Sequence, residues 1–277
     1  MDAIKGRRFW KLTGSGNDFV FFDCRDEDPN PLVSPEIICA ICDRRNGVGA
    51  DGIVLFERDP IHAFGIRYYN RDGSLAELCG NASLCSVTLA QVLGVVSGVR
   101  SFTFQTSSGA LTGRISNDRP ELDMARVTEQ VDESDVPRRP GEKRLGFARV
   151  GVPHMVILVD DVETVDVDRR GRELRHWPTL VDGANANFVS RTSDGWAIRT
   201  YERGVEEETL ACGTGAVATC ALLSTWNLVP GSVALRTRSG STLLAGVKSG
   251  ADRPTLSGEG RLVYAGQIAD LTSPDRK

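Results

Sequence analysis

Two stretches of this chain share one layout, and that repetition limits the folds open to it. Thr209-Leu-Ala-Cys212-Gly213-Thr214-Gly215-Ala216 runs into the small and apolar residues Val217 to Leu223. Cys79-Gly80-Asn81-Ala82-Ser83-Leu84-Cys85 runs in the same way towards Ala90. The flanks repeat too: Tyr69 and Tyr201 precede the two cysteines, and Thr106 and Thr237 follow. The pairs Cys79/Cys212, Thr106/Thr237 and Tyr69/Tyr201 are offset by 133, 131 and 132 positions. Near-constant offsets of this kind mark two copies of one structural unit. The run behind each cysteine is apolar almost all round, which predicts a helix buried within its own half.

At 277 residues the chain has room for the two domains that the repeat implies. The division expected from sequence is 1–125, with a C-terminal strand over 265–277, for the first domain and 126–264 for the second, the working site lying between them. Short strand-like runs outnumber helical ones in each half. The expected class is therefore α+β, with two pseudo-repeated domains, each a mixed, largely antiparallel sheet curled around a central apolar helix.

A formal net charge of −4 gives no support to nucleic-acid binding or to an anionic membrane surface. No stretch approaches the ~18 consecutive apolar residues of a spanning helix. Met1-Asp-Ala-Ile-Lys-Gly-Arg-Arg8 has no apolar core behind its charges, so no secretory signal is expected. Seven cysteines, an odd number without a disulfide-rich pattern, suggest thiols kept reduced in a cytoplasmic setting.

Along the chain, strands are expected at 9–12, 19–23, 53–56, 66–69, 101–104, 111–115, 155–159, 185–189, 196–201, 233–237, 243–247 and 262–264. Ser34-Pro35-Glu36 opens a helix carrying Cys39 and Cys42. With no second pair at ligand spacing, this Cys-x-x-Cys reads as two core cysteines rather than a metal site. Gly47-Val-Gly-Ala-Asp-Gly52 lacks the spacing and the following helix of a dinucleotide fingerprint. Residues 127–146, polar and interrupted by Pro137, Pro140 and Gly141, read as a loop at the domain junction.

The chemistry centres on Cys79 and Cys212. A thiol at a helix start faces the positive end of the dipole, which is expected to lower its pKa. The neighbouring backbone N–H groups can hold a carboxylate. A single free cysteine is more often buried and inert. Two in matched Cys-Gly settings point to chemistry, and Cys24, Cys39, Cys42, Cys85 and Cys220, which lack that setting, read as structural. If the halves face each other, a thiolate stands on one side of a carbon next to the bound carboxylate and a thiol on the other. One removes the α-proton and the other returns a proton to the opposite face. The helix ends stabilise the charge that spreads onto the carboxylate. Neither a metal nor a cofactor is needed for this scheme.

These residues make the chain resemble the diaminopimelate epimerase family. The matching motifs are Gly14-Ser-Gly-Asn17-Asp-Phe19, Gly47 to Gly52, Tyr69-Asn70-Arg-Asp-Gly-Ser74, Cys79-Gly-Asn81, Gly151-Val-Pro-His154, Asn185-Ala-Asn-Phe188, and Glu202-Arg203 through Cys212 to Ala216. They occur in family order over nearly the whole chain. The resemblance implies a cofactor-independent epimerase that interconverts LL- and meso-2,6-diaminopimelate for lysine and cell-wall precursor synthesis, often as a homodimer. Residue by residue, it implies that Cys79 and Cys212 are the acid/base thiols. Gly80, Asn81, Gly213 and Thr214 would bind the reacting carboxylate through backbone N–H groups. Glu202 would hold the reacting amino group with His154 in support. Asn17, Asn70, Asn185 and Arg203 would read the distal end of the substrate. Where the family commonly has Gly-Ala-Arg after Cys-Gly-Asn, this chain has Ala82-Ser83-Leu84, and Gly52 and Val152 stand where some members have glutamine and asparagine. Three other readings remain: a racemase of another amino acid such as histidine, a cysteine hydrolase using Cys212 and His154, and an anion-binding protein without turnover.

Overall fold

The computed structural model describes residues 4–76, 79–247 and 253–271. Leu78, Lys248 and the end of the 265–277 segment lie outside the described residues. The chain divides into two compact units, one running up to Leu122 and resuming at Glu259, the other Asp123–Gly258.

The first unit holds β1 (Arg8–Gly14), β2 (Asn17–Asp23), α1 (Pro35–Cys42), β3 (Gly52–Glu57), β4 (Gly65–Asn70), α2 (Gly80–Val92), β5 (Phe102–Thr106), β6 (Gly109–Ser116) and β7 (Arg119–Asp123), with β17 (Arg261–Gln267) from the far end of the chain. The second holds β8 (Val127–Val131), β9 (Glu142–Val150), β10 (Val152–Val159), α3 (Val167–Arg175), β11 (Asn185–Thr192), β12 (Gly195–Glu202), β13 (Glu207–Thr209), α4 (Gly213–Thr225), β14 (Ser232–Arg236), β15 (Thr242–Gly246) and β16 (Thr255–Ser257).

The repeat in sequence is a repeat in strand pairing. In the first unit the pairs run antiparallel β1–β2, parallel β2–β3, antiparallel β3–β4, parallel β4–β5 and antiparallel β5–β6. The second unit follows the same alternation through β9–β10, β10–β11, β11–β12, β12–β14 and β14–β15. Each first strand also gains one antiparallel neighbour, β17 on β1 and β8 on β9.

The central strands are covered on both faces, which explains why Phe19-Val-Phe-Phe22 and Ile53-Val-Leu-Phe56 are apolar throughout. Alternation along a strand sends neighbouring side chains to opposite faces. Val20 and Phe22 join the α1 residues Ile37, Ile38 and Ile41 in one core, and Met155 and Ile157 join the α3 residues Val167 and Leu174 in the equivalent core. Helices α2 and α4 pack against the strands of their own units and are buried along most of their length. Ala82, Ser83 and Leu84, where the chain departs from the family pattern, are among the buried α2 residues. Gly14 permits this packing: a Cβ there would lie 2.9 Å from Cys85 Sγ and 3.1 Å from the Asn81 carbonyl of α2.

Several features differ from the sequence reading. Residues 259–264 belong to the first unit, because β17 pairs with β1 across Arg8–Thr13. Strand β8 lies within the stretch read as a junction loop; its exposed, polar residues are held in place by pairing with β9. Helix α3 has no counterpart in the sequence reading, since its buried stripe is little more than Val167, Gly171 and Leu174 in an otherwise charged segment. Cys39 is exposed, and only Cys42 of the Cys-x-x-Cys pair joins the core.

No helix among the described residues is long and apolar enough to cross a membrane. No group of three or more His, Cys, Asp or Glu side chains among them is placed to hold a metal ion.

Candidate active site

In the first unit, Cys79 is the N-cap of α2. Its backbone is extended (φ −129°, ψ 112°), and its Sγ accepts the Ala82 N–H at 3.4 Å. A thiol here takes the place of the Ser or Asp oxygen that usually caps a helix. Asn81, in the first turn, is 4% exposed. Its Nδ2 donates to Asn17 Oδ1 at 2.8 Å, and its own Oδ1 is buried with no partner. Asn17 Nδ2 donates in turn to Asp51 Oδ2 at 3.0 Å. Asn70, at the end of β4, donates to Ser74 Oγ at 3.0 Å. A small cavity beside Cys79 is lined by Tyr68, Ala82, Ser83 and Thr106, and the Ser83 hydroxyl, also buried, has no partner.

Sequence reasoning missed the charged support under Asn17. Arg44 bridges Asp18 at 2.8 Å and Asp51 at 2.7 Å, and Lys11 lies 2.7 Å from Asp18. Burial works to raise the Asp18 carboxyl, but hydrogen bonds from Arg44 and Lys11 override it and hold the pKa at about 2. Asp51 was visible in the Gly-rich turn at 47–52, though a turn motif does not reveal which side chain it will clamp.

In the second unit, Cys212 is the N-cap of α4, again extended (φ −127°, ψ 113°). Its Sγ lies 3.6 Å from Thr214 Oγ1. Here the expectation of a lowered pKa is overturned. Cys212 is 9% exposed. Burial, reinforced by the Glu202 charge, pushes the thiol up to about 12 against the Thr214 hydroxyl and the N–H groups of Thr214 and Gly215. Desolvation of a thiolate outweighs a helix end when water is excluded. Glu202 is itself raised by burial, with the Thr209 hydroxyl opposing.

Strand alternation explains the rest of this cluster. Met155 and Ile157 face α3, so His154 takes the opposite face of β10, and Asn185 pairs beside it on β11. Asn185 Oδ1 accepts the Arg203 N–H at 2.7 Å, and the Arg203 guanidinium donates to the Asp182 carbonyl at 3.0 Å. His154 is completely buried, and burial followed by the Arg203 charge lowers its pKa to about 3. It is therefore a neutral imidazole. Its Nδ1 lies 3.2 Å from Asn187 Nδ2, and its Nε2 has no partner.

The structure thus groups Asn17, Asn81 and Cys79 in one unit, with Gly80 in the same helix turn. It groups His154, Asn185, Glu202, Arg203 and Cys212 in the other, with Gly213 and Thr214 in the first turn of α4. Asn70 is tied to its own turn rather than to Asn17 or Asn81. Asn187 and Thr200 were not singled out from sequence. The signal was present in the two-residue spacing of Asn185 and Asn187, which puts both on one face of β11.

Residues 9–130 and 146–262 match the profile of a family described as diaminopimelate epimerase. A diaminopimelate epimerase from Gemmatimonas aurantiaca is 46% identical over 95% of this chain and 99% of its own. One from Aquifex aeolicus is 37% identical over 95% and 98%. Among solved structures, a phenazine biosynthesis protein of the PhzF family from Bacillus anthracis superposes with a TM-score of 0.69 at 11% identity, covering 95% of this chain and 99% of that one. At that identity the likeness concerns the fold alone.

Proposed function

Because this chain belongs to the diaminopimelate epimerase family, we propose that it interconverts LL- and meso-2,6-diaminopimelate by moving a proton across one α-carbon. The observation that carries the mechanism is the matched placement of Cys79 and Cys212, each the N-cap of a buried helix in one of two topologically repeated units. In this scheme Cys79 and Cys212 take the two roles, one removing the α-proton and the other returning a proton to the opposite face. The reacting carboxylate sits against the first-turn N–H groups, from Gly80 and Asn81 and from Gly213 and Thr214.

The buried Cys212 carries its proton at rest, so it serves as the acid when the isomer with its α-hydrogen towards Cys79 is bound. The Cys79 thiolate takes the α-proton as the C–H bond breaks. The electron pair delocalises onto the carboxylate, where the two helix ends meet the growing charge. Cys212 S–H then delivers its proton to the other face, leaving a thiolate at Cys212 and a thiol at Cys79, and the reverse reaction starts from that state. The substrate ammonium pairs with Glu202, whose burial already disfavours an unpaired charge. Arg203 and the asparagines Asn17, Asn70 and Asn185 read the distal amino-acid head. Every group in the scheme comes from the chain itself. A homodimer in the cytoplasm belongs to this reading through the family resemblance.

The test is proton exchange in deuterated water. Diaminopimelate is expected to gain α-deuterium with the wild-type protein, while Cys79→Ala and Cys212→Ala each lose turnover by several orders of magnitude. Exchange of histidine but not diaminopimelate would overturn the substrate. Full turnover by Cys79→Ala would overturn the two-thiol scheme in favour of a cysteine hydrolase.

A further inference from the structure

The buried imidazole of His154 has one nitrogen engaged and one orphaned, and its neighbours settle which carries the proton. Asn187 lies on the α4-facing side of β11. Its Nδ2 donates to the Met155 carbonyl at 2.9 Å, and its Oδ1 accepts the Thr200 hydroxyl at 3.0 Å. A carbonyl oxygen only accepts, so the Met155 contact fixes the amide orientation, and Thr200 secures the other end. The second Nδ2 proton then faces His154 Nδ1 at 3.2 Å. Nδ1 must be the acceptor, so the single proton of the neutral ring is on Nε2. That N–H is buried and unpartnered, which is costly unless something bound to the protein completes it. The same amide also touches the Cys212 turn: a Cβ at Gly215 would fall 2.2 Å from Asn187 Oδ1 and 3.3 Å from Cys212 Sγ.

We propose that Asn187, clamped by Thr200, is a positioning residue that holds His154 as the Nε2–H tautomer, so that the ring offers a neutral N–H to the reacting carboxylate of the substrate. Asn187 does not touch substrate; it acts through His154. A neutral donor strengthens its bond as charge grows on the carboxylate, yet it does not bind the ground state strongly or take up the α-proton. Histidine is then excluded as a third base that would compete with the thiols.

This inference rests on the epimerase reading above, and two readouts separate them. The first is the long-range proton–nitrogen spectrum of ¹⁵N-histidine-labelled full-length protein, in which only three histidines appear. The second is diaminopimelate turnover, split into kcat and KM. In the wild-type protein His154 is expected to carry its proton on Nε2. In Asn187→Asp the carboxylate accepts from the ring, so the proton moves to Nδ1, and kcat falls about 10- to 100-fold with a much smaller change in KM. Thr200→Val frees the amide to turn and is expected to give a mixture of tautomers with an intermediate loss, while Thr200→Ser restores both the spectrum and kcat. Should Asn187→Asp fail to fold, the Thr200 pair decides. A wild-type Nδ1–H tautomer, a loss of kcat with the tautomer unchanged, or no change in either readout would each overturn the relay. A wild-type protein with the Nε2–H tautomer but no exchange of diaminopimelate would overturn the proposed reaction and leave the relay standing.

Discussion

Replacing Gly215 with alanine sets two effects of opposite sign against each other. Gly215 is in the first turn of α4 and its φ is not in the left-handed region, so the backbone accepts alanine. Helix propensity alone favours the change by up to about 1 kcal/mol. Packing opposes it. The new methyl would sit 2.2 Å from Asn187 Oδ1, where ordinary contact begins at 3.4 Å. The amide would have to move by more than about 1 Å, an estimate from normal contact distances. It cannot do so while keeping its bonds to Thr200, Met155 and His154 at 3.0, 2.9 and 3.2 Å. Overpacking of this kind costs about 1–3 kcal/mol, and each buried bond lost adds roughly 1 kcal/mol. Packing therefore wins. We expect a net loss of about 2 kcal/mol, seen as a drop in Tm of about 4–8 °C at this chain length, with reduced turnover. The decisive control is Asn187→Ala. With the amide gone, the same Gly215→Ala change should cost nothing or stabilise slightly, giving a strongly non-additive cycle. Thermal unfolding of the four proteins measures it. An equal loss from Gly215→Ala in both backgrounds, or no loss in either, refutes the contact.

Two further outcomes concern stability. The thiols of Cys24, Cys42, Cys212 and Cys220 are all raised by burial, to between about 11 and about 12, from an ordinary 9.0. The unfolded chain releases these protons first, so the contribution of these thiols to stability should be level below pH 9 and fall as pH rises from 9 towards 11. The slope is about 1.4 kcal/mol per pH unit for each thiol. Urea midpoints from pH 8 to 10.5 read this directly: Cys220→Ala should flatten the slope by one thiol's share, and a level wild-type profile would refute it. The Arg170–Glu142 pair at 2.8 Å joins α3 to the start of β9, with side chains only 5% and 6% exposed. Arg170→Ala strands a buried carboxylate and should cost about 3–5 kcal/mol, most of it recovered in Arg170→Leu with Glu142→Leu; a loss below about 1 kcal/mol in chemical denaturation would show the pair to be solvated.

The sequence by itself determined whatever depends on residues close together in the chain. The Cys-Gly starts and the apolar runs behind Cys79 and Cys212 specify two capped, buried helices. The near-constant offsets between the paired motifs specify two copies, and runs such as Phe19–Phe22 specify strands covered on both sides. Elements with weak local patterns escaped. Strand β8 exists because β9 offers it a partner, and α3 is held by a short buried stripe and an ion pair. Residues 259–264 join the first unit through pairing with β1, some 250 positions away in sequence. The Cys212 pKa shifts against the helix-start expectation for the same kind of reason. A helix start is a local feature that lowers a thiol pKa, whereas desolvation depends on every segment that packs around the sulfur, and here it is larger. The Asn187–His154 relay joins β10, β11 and β12, and the direction of its hydrogen bonds follows from one backbone carbonyl and one hydroxyl that only the folded chain brings together.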